Sequence, residues 1–240
     1  MNTKTSLGKL YLIPVTMGES DPMDVLPQTV KRAIELIDCY IVENEKTARK
    51  SIKAVLPEKK QSELVLFALN KHTDAKEHLS FIQPLLEGKN VGLMSEAGCP
   101  GVADPGAVIV KLAHEKGIQV IPLVGPSSIL LAMMASGMNG QSFTFNGYLP
   151  IDKSDKKSAL KNLEKLSFDK NQSQIFIETP YRNNKLLEDI LQALQPSTHL
   201  CIATDITLPT EYIKTLRASD WKKTKVDLHN RPTIFIIHKF

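Results

Sequence analysis

The amino-acid sequence predicts an α/β protein of two α/β domains, residues 1–123 and 124–240, with a mostly parallel sheet in the first and a mixed sheet in the second. Three observations lead there. Over roughly the first 115 residues, short apolar runs alternate with stretches of helical periodicity, the pattern of a wound parallel sheet with right-handed crossovers. The run Val91-Gly92-Leu93-Met94 passes into a loop rich in glycine and proline, Ser95 to Gly106, and then into a helix. That order of strand, stiff loop and helix sets ligands at the carboxyl ends of strands. Beyond Gly140 the character shifts to alternating, aromatic and lysine-rich segments.

The first strand is Leu7 to Val15. Leu10, Leu12 and Ile13 suit burial on both faces of a parallel sheet, and Pro14 falls near the end, where a ladder N–H is dispensable. Thr16 to Asp24 reads as a polar loop. Pro27 opens a helix with the apolar stripe Val30, Ala33, Ile34 and Ile37. Cys39 to Val42 is a strand ending at Glu43, and Thr47 to Leu56 a helix stopped before Pro57. Leu64 to Leu69 is the third strand, followed by His72. Asp74 with Glu77 resembles a capping box for a helix carrying Leu79, Ile82, Leu85 and Leu86. After Val91–Met94 and its loop, Val108, Ile109, Leu112 and Ala113 recur at helical spacing, and Gly117 ends that helix.

Gln119 to Leu123 gives a fifth strand. Gly125-Pro126-Ser127-Ser128 opens the helix Ile129 to Ser136, apolar nearly all round and so expected to be buried between layers. Ser142 to Tyr148 alternates as a strand, and Ile151 to Lys157 reads as a mobile loop. A helix with Leu160, Leu163 and Leu166 follows, then a strand Ile175 to Ile177 ending at Glu178. Leu186 to Leu194 is a helix, and His199 to Thr204 and Thr233 to Ile237 are strands.

Composition narrows the class. Hydrophobic residues make up 42%, ordinary for a globular protein. No apolar run reaches the ~18 residues of a spanning helix, and Met1 to Lys9 holds no apolar signal core. Cys39, Cys99 and Cys201 are too scattered for a disulfide framework or a metal site, so a reducing cytoplasm is the expected home. The net charge of +4 permits a nucleic-acid partner without demanding one. Neither the dinucleotide fingerprint G-x-G-x-x-G after the first strand nor the P-loop G-x-x-x-x-G-K-(S/T) occurs. The nucleophile elbow G-x-S-x-G and the zinc motif H-E-x-x-H are also missing.

In the loop S-E-A-G-C-P-G-V-A-D-P-G, Gly98, Gly101 and Gly106 allow close approach to the backbone, while Pro100 and Pro105 stiffen it. It resembles the S-D-A-G-T-P-x-x-x-D-P-G signature of the ribosomal RNA small-subunit methyltransferase I family, part of the tetrapyrrole methylase superfamily of S-adenosylmethionine-dependent enzymes. Four further stretches resemble that family in order. They are Y-L-I-P-V-T from Tyr11, Gly125-Pro126-Ser127-Ser128, F-N-G-Y-L-P from Phe145, and I-E-T-P-Y-R from Ile177 with Arg182 in register. The chain also departs from the family. Its opening continues Thr16-Met17-Gly18-Glu19-Ser20 in place of P-I-G-N-L, and A-E-D-T-R becomes Val42-Glu43-Asn44-Glu45. A-R-E-(L/I)-T becomes Ala203-Thr204-Asp205-Ile206-Thr207, and R-G-E becomes Arg231-Pro232-Thr233. The chain ends at Phe240, short of the family's C-terminal helical segment.

The resemblance implies two domains of the tetrapyrrole methylase type, with S-adenosylmethionine in a cleft between them. Ala97, Gly98, Cys99, Val102, Pro126, Ser127 and Ser128 would line one side and Pro14 and Thr233 the other. His72, Tyr181 and Arg182 fall on the substrate side. Glu43 and Glu178 end strands, where sites are built in α/β sheets, and are the candidate proton acceptors. Cys99 reads as a small packing residue. The implied partners are ribosomal RNA or the small ribosomal subunit and a second copy of the chain, without a membrane. A tetrapyrrole or protein acceptor, or a non-catalytic member that binds donor or RNA, remain the alternatives.

Overall fold

A five-stranded, wholly parallel sheet organises the first of two units, Met1–Ser127 and Ser128–Phe240, in a computed structural model that describes residues 6–70, 73, 74 and 76–240. Its strands are β1 (Lys9–Leu12), β2 (Cys39–Val42), β3 (Val65–Ala68), β4 (Val91–Met94) and β5 (Gln119–Pro122), in the order β3-β2-β4-β1-β5. β2 and β4 are buried along their whole length, as strands covered on both faces must be. One face is covered by α2 (Gln28–Leu36) and α3 (Glu45–Val55), whose Val30, Ile34 and Ile52 pack with Ile13, Tyr40 and Met94. The other holds Phe81, Leu85, Ile109 and Ala113 against Leu10, Ile41 and Leu93, contributed by α4 (His78–Phe81), α5 (Gln83–Leu86) and α6 (Ala107–Glu115). Gly92, in the central strand, has no room for a side chain. A Cβ there would lie 2.6 Å from Tyr40 Cδ1 and 2.8 Å from Ile13 Cδ1.

The structure corrects two expectations in this unit. The polar stretch Thr16 to Asp24 contains the short helix α1 (Pro22–Val25), because Asp21 Oδ1 accepts from Met23 N–H at 2.9 Å and Pro22 supplies a ready-made first turn. The single helix expected after Asp74 is broken into α4 and α5. Pro84 brings no N–H to continue the ladder, while the expected pair at the start is in place: Asp74 N–H donates to Glu77 Oε1 at 3.3 Å and Asp74 Oδ1 accepts from Lys76 N–H at 2.9 Å.

The second unit holds β6 (Phe143–Tyr148), β7 (Ser173–Ile177), β8 (His199–Thr204), β9 (Tyr212–Arg217) and β10 (Thr233–His238) in the order β6-β7-β10-β8-β9. β6 and β7 run parallel and the other pairs antiparallel, so the sheet is mixed. Leu160, Leu163, Leu186, Ile190 and Trp221 cover one face, from α8 (Lys153–Lys170), α9 (Asn183–Ala193) and α10 (Ala218–Trp221). On β8, β9 and β10 also lies α7 (Ser128–Ser136), held by Thr215 Oγ1 donating to Ser136 O at 2.8 Å. α7 is not buried all round: Ala132 and Met133 are covered, while Leu130 and Met134 are 53% and 78% exposed. Nor is Ile151 to Lys157 a loop. Asp152 Oδ1 accepts from the N–H groups of Ser154 and Asp155 at 2.8 and 3.0 Å, so this stretch is the start of α8. Its Lys156 is buried and paired with Asp189 at 3.3 Å. β9, an edge strand, has no counterpart in the expected elements.

His238 is fully buried opposite His199 on β8, with Nδ1 3.3 Å from Ser173 Oγ and the Phe240 ring edge-on to both imidazoles. Burial, with the neighbouring His199, holds the His238 imidazole below its usual range. Burial, with Arg217, does the same to His199. The fold therefore favours the neutral form of both rings, while the unfolded chain takes up protons below about pH 6.5, and stability falls as the pH drops through that region. Urea unfolding at pH 7.5 and pH 5.5 is expected to show this loss, and His238→Gln to narrow it. An equal loss in the variant would contradict the assignment.

Candidate active site

The loop after β4 is shaped by Asp104. Its carboxylate accepts from Gly101 N–H at 3.0 and 2.8 Å and from Gly106 N–H at 2.7 Å, closing a tight turn. Ala103 is held at a φ of 61°, a region that costs a non-glycine residue strain, and Gly98 and Gly101 take φ of 70° and 84° without that cost. Two other strand ends lock onto this loop within the first unit. Val15 N–H donates to Gly98 O at 3.0 Å, and Cys99 Sγ donates to Pro126 O at 3.3 Å. Gly125 lies so close to Pro14 that a Cβ would sit 2.2 Å from Pro14 Cβ. Pro14, Ala97, Gly98, Cys99, Pro126 and Ser127 thus gather at the carboxyl ends of β4, β1 and β5. Burial pushes the Cys99 thiol up, which keeps it a packing group rather than a thiolate.

Carboxylates ring the same end of the sheet. Glu43 follows β2 directly, and its Oε1 accepts from Glu96 N–H at 3.3 Å. Burial raises its carboxyl above the usual range. The charges of Asp104 and Glu96 add to that, and the Glu96 N–H partly offsets it. Asp104 is likewise raised by burial, against the pull of the Gly106, Gly101 and Val102 N–H groups. Between Glu43 and Asp104 lies a niche walled by Leu69, Leu93, Pro100 and Pro105, with no room for water.

Beside it opens a pocket of about 530 Å³, within the range of small-molecule sites. Pro14, Val15, Leu26, Ile34, Val55 and Met94 give it apolar walls. Thr16, Ser20, Thr47, Ser51 and Glu96 supply its polar lining. Thr47 Oγ1 donates to Glu96 Oε1 at 3.3 Å, and Lys50 pairs with Glu19 at 2.6 Å. Glu96, Asp104, Thr47 and Lys50 were not among the residues expected from sequence. Glu96 follows a strand end as Glu43 does, so the same rule reaches it.

In the second unit, Glu178 and Thr233 share one end of the sheet, since Ile177 pairs with Ile234. Glu178 is buried, and its Oε1 faces four donors: Thr179 N–H at 2.7 Å, Thr179 Oγ1 at 3.2 Å, and Arg182 through Nε at 3.1 Å and a terminal nitrogen at 2.9 Å. Arg182 also stacks over Tyr181 at 5.3 Å. Glu178 therefore holds Arg182 in place, and this oxygen has no free direction for an acceptor hydroxyl. Thr233 Oγ1 donates to Thr204 Oγ1 at 2.9 Å. Arg231 pairs with Asp205 at 2.8 Å, so the position where the family pattern has Glu keeps a carboxylate one methylene shorter. Ser128 begins α7, Val102 is 52% exposed in its loop, and His72 lies outside the described residues.

The family profile described as Tetrapyrrole (Corrin/Porphyrin) Methylases matches residues 9–221. Ribosomal RNA small subunit methyltransferase I of Buchnera aphidicola subsp. Schizaphis graminum is 30% identical over 99% of this chain and 80% of its own length. The Escherichia coli protein of the same name is 31% identical over 87% of this chain and 68% of its own. The chain belongs to the ribosomal RNA small subunit methyltransferase I family of tetrapyrrole methylases. Membership makes it an S-adenosylmethionine-dependent methyltransferase. The tetrapyrrole methylase fold is seen again in uroporphyrin-III C-methyl transferase from Thermus thermophilus, solved with S-adenosylhomocysteine. It superposes with a TM-score of 0.58 at 16% identity over 97% of this chain and 98% of that one. The residues present fit such a donor. A Cβ at Gly101 would meet nothing within 4 Å, so the Asp104-braced loop leaves open space against its backbone.

Proposed function

We propose that this chain methylates a ribose 2′-hydroxyl of small-subunit ribosomal RNA. The loop braced by Asp104, together with Pro14, Pro126 and Ser127, holds the donor, and the resemblance adds Ser128 and Thr233. When bound, S-adenosylmethionine supplies a methyl group on an electrophilic sulfonium. The protein then has to orient the acceptor, exclude water and remove a proton. Glu43 is the observation that carries the reading. Its carboxylate is half-buried, raised in affinity for a proton, and one residue beyond a strand at the donor loop. As the ribose oxygen takes the methyl, its proton passes to Glu43. The 530 Å³ pocket receives the acceptor nucleotide, its apolar walls excluding water and Thr47 and Glu96 meeting the polar edge; Glu43 does not line it but borders it through the Glu96 N–H that its Oε1 accepts at 3.3 Å. The chain works in the cytoplasm as a homodimer.

Calorimetric titration with S-adenosylhomocysteine tests the donor site. Micromolar affinity is expected, about −8 kcal/mol, and no heat at all would contradict the assignment. Gly125→Ala places a methyl inside Pro14 and is expected to weaken that affinity at least ten-fold, while overpacking costs about 1–3 kcal/mol of stability. An unchanged dissociation constant would remove the Gly125–Pro14 contact from the account.

A further inference from the structure

We infer that the second unit carries a separate contact for single-stranded RNA, in a groove between α8 and the turn joining α9 to β8; this inference rests on the reading of RNA as the acceptor. The groove encloses about 700 Å³ and is lined by Lys161, Lys165 and Phe168 of α8, by Leu194 and Pro196 below, and by Lys239. β7 and β10 are antiparallel, so this groove lies at the end of the sheet away from Glu178 and Thr233, roughly 17 Å along the strands. Lys239 is fixed there by its N–H donating to Ser167 Oγ at 2.9 Å.

Three features set the groove apart from an ordinary solvated helix face. Phe168 is 60% exposed although α8 already meets the core through Leu160 and Leu163, so the ring is not needed to fold the helix. Lys239 Nζ stands 5.9 Å from the centre of that ring, close enough to favour a cation over its face. The open charge is positive. Glu164 is buried, with Oε1 accepting from Gln195 N–H at 2.8 Å and from the Thr198 hydroxyl, and faces inward. Asp169, beside the groove, is held by Lys165 at 2.7 Å in an exposed pair that a phosphate readily displaces, and the exposed Asp155 lies at the far, N-terminal end of the helix. Lys153, Lys157, Lys161 and Lys165 recur every four residues on the exposed side of α8 and lead into the groove. An exposed ring that takes a base, flanked by lysines that take the phosphates on either side, is the chemistry of sequence-tolerant single-strand binding. A duplex has no unstacked base to offer the ring.

The test measures fluorescence anisotropy of a ten-nucleotide single-stranded RNA with the whole protein, alongside its affinity for S-adenosylhomocysteine. Lys161→Glu and Phe168→Ala, both at exposed positions, are each expected to weaken RNA binding at least five-fold at low salt and leave donor affinity and melting temperature unchanged. Lys161→Glu should also lower the salt slope by about one, and the control Lys111→Glu in the first unit should change nothing. RNA binding equal to wild type in both variants would overturn the groove while leaving the proposed reaction standing. Loss with Lys161→Glu alone, matched by equal loss on anionic vesicles, would overturn it in favour of unspecific charge attraction. Wild-type protein that neither binds nor methylates RNA would overturn both.

Discussion

Replacing Glu43 by Gln is expected to slow methyl transfer roughly 10²–10⁴-fold, the usual worth of a positioned proton acceptor, while S-adenosylhomocysteine affinity stays within two-fold. Glu43 carries the burden because of where β2 ends. Its carboxyl is squeezed by burial and by the charges of Asp104 and Glu96, which raise it above the ordinary carboxylate range. The basic form is the active one, so the rate should rise with pH through that raised value, above the ~4.3 of a free glutamate. In Glu43→Gln this acid limb should vanish. Glu178→Gln should behave differently. It loosens Arg182, which Glu178 holds through two contacts of 3.1 and 2.9 Å, and is expected to raise KM for RNA with kcat little changed. A Glu43→Gln enzyme at the full wild-type rate would move the proton transfer to another group.

The second large effect concerns Thr204 and Thr233. The family pattern has Arg and Glu at these positions, in two motifs far apart in sequence. In the structure the two residues are direct cross-strand partners, 0% and 6% exposed, with their hydroxyls 2.9 Å apart. The two departures therefore meet in one cross-strand pair, two hydroxyls where the family pattern has an Arg and a Glu. Thr204→Arg alone or Thr233→Glu alone buries a charge with no partner and is expected to cost on the order of 3–5 kcal/mol. The double variant restores the pair and should recover at least half of the summed loss in urea unfolding, a coupling that a double-mutant cycle isolates. Simple additivity of the two losses would contradict the pairing.

Much of the fold was legible because it rests on local signals. β2, β4 and β8 have the bounds that their apolar runs set, and Gly117 and Gly137 end helices at φ of 69° and 70°. The misreadings have physical causes. The first turn of α8 looks like a loop because its exposed residues, Lys153, Ser154 and Asp155, are all polar, and only the Asp152 cap and the buried Lys156–Asp189 pair reveal the helix. α7 is apolar on every side, which says nothing about which side the sheet will cover. β9 is partly exposed along its length and carries Lys214 and Arg217 facing water, so its alternation is weak. At the site, the glycines and prolines of the donor loop announce a close approach, but not that Asp104 braces it. Nor does sequence show that Glu178 is occupied by Arg182 while Glu43 is not: that depends on Arg182 lying one turn further along the chain, with its guanidinium folded back.

The most direct measurement of the central claim is transfer of a labelled methyl group from S-adenosylmethionine to small-subunit RNA prepared without its own methylations, followed by mass spectrometry of the nucleosides. The account predicts label on a ribose, at a single nucleotide, in a linkage that resists alkali, and its loss with Glu43→Gln. Label on a base, or none on RNA under conditions where the donor is bound, would contradict it.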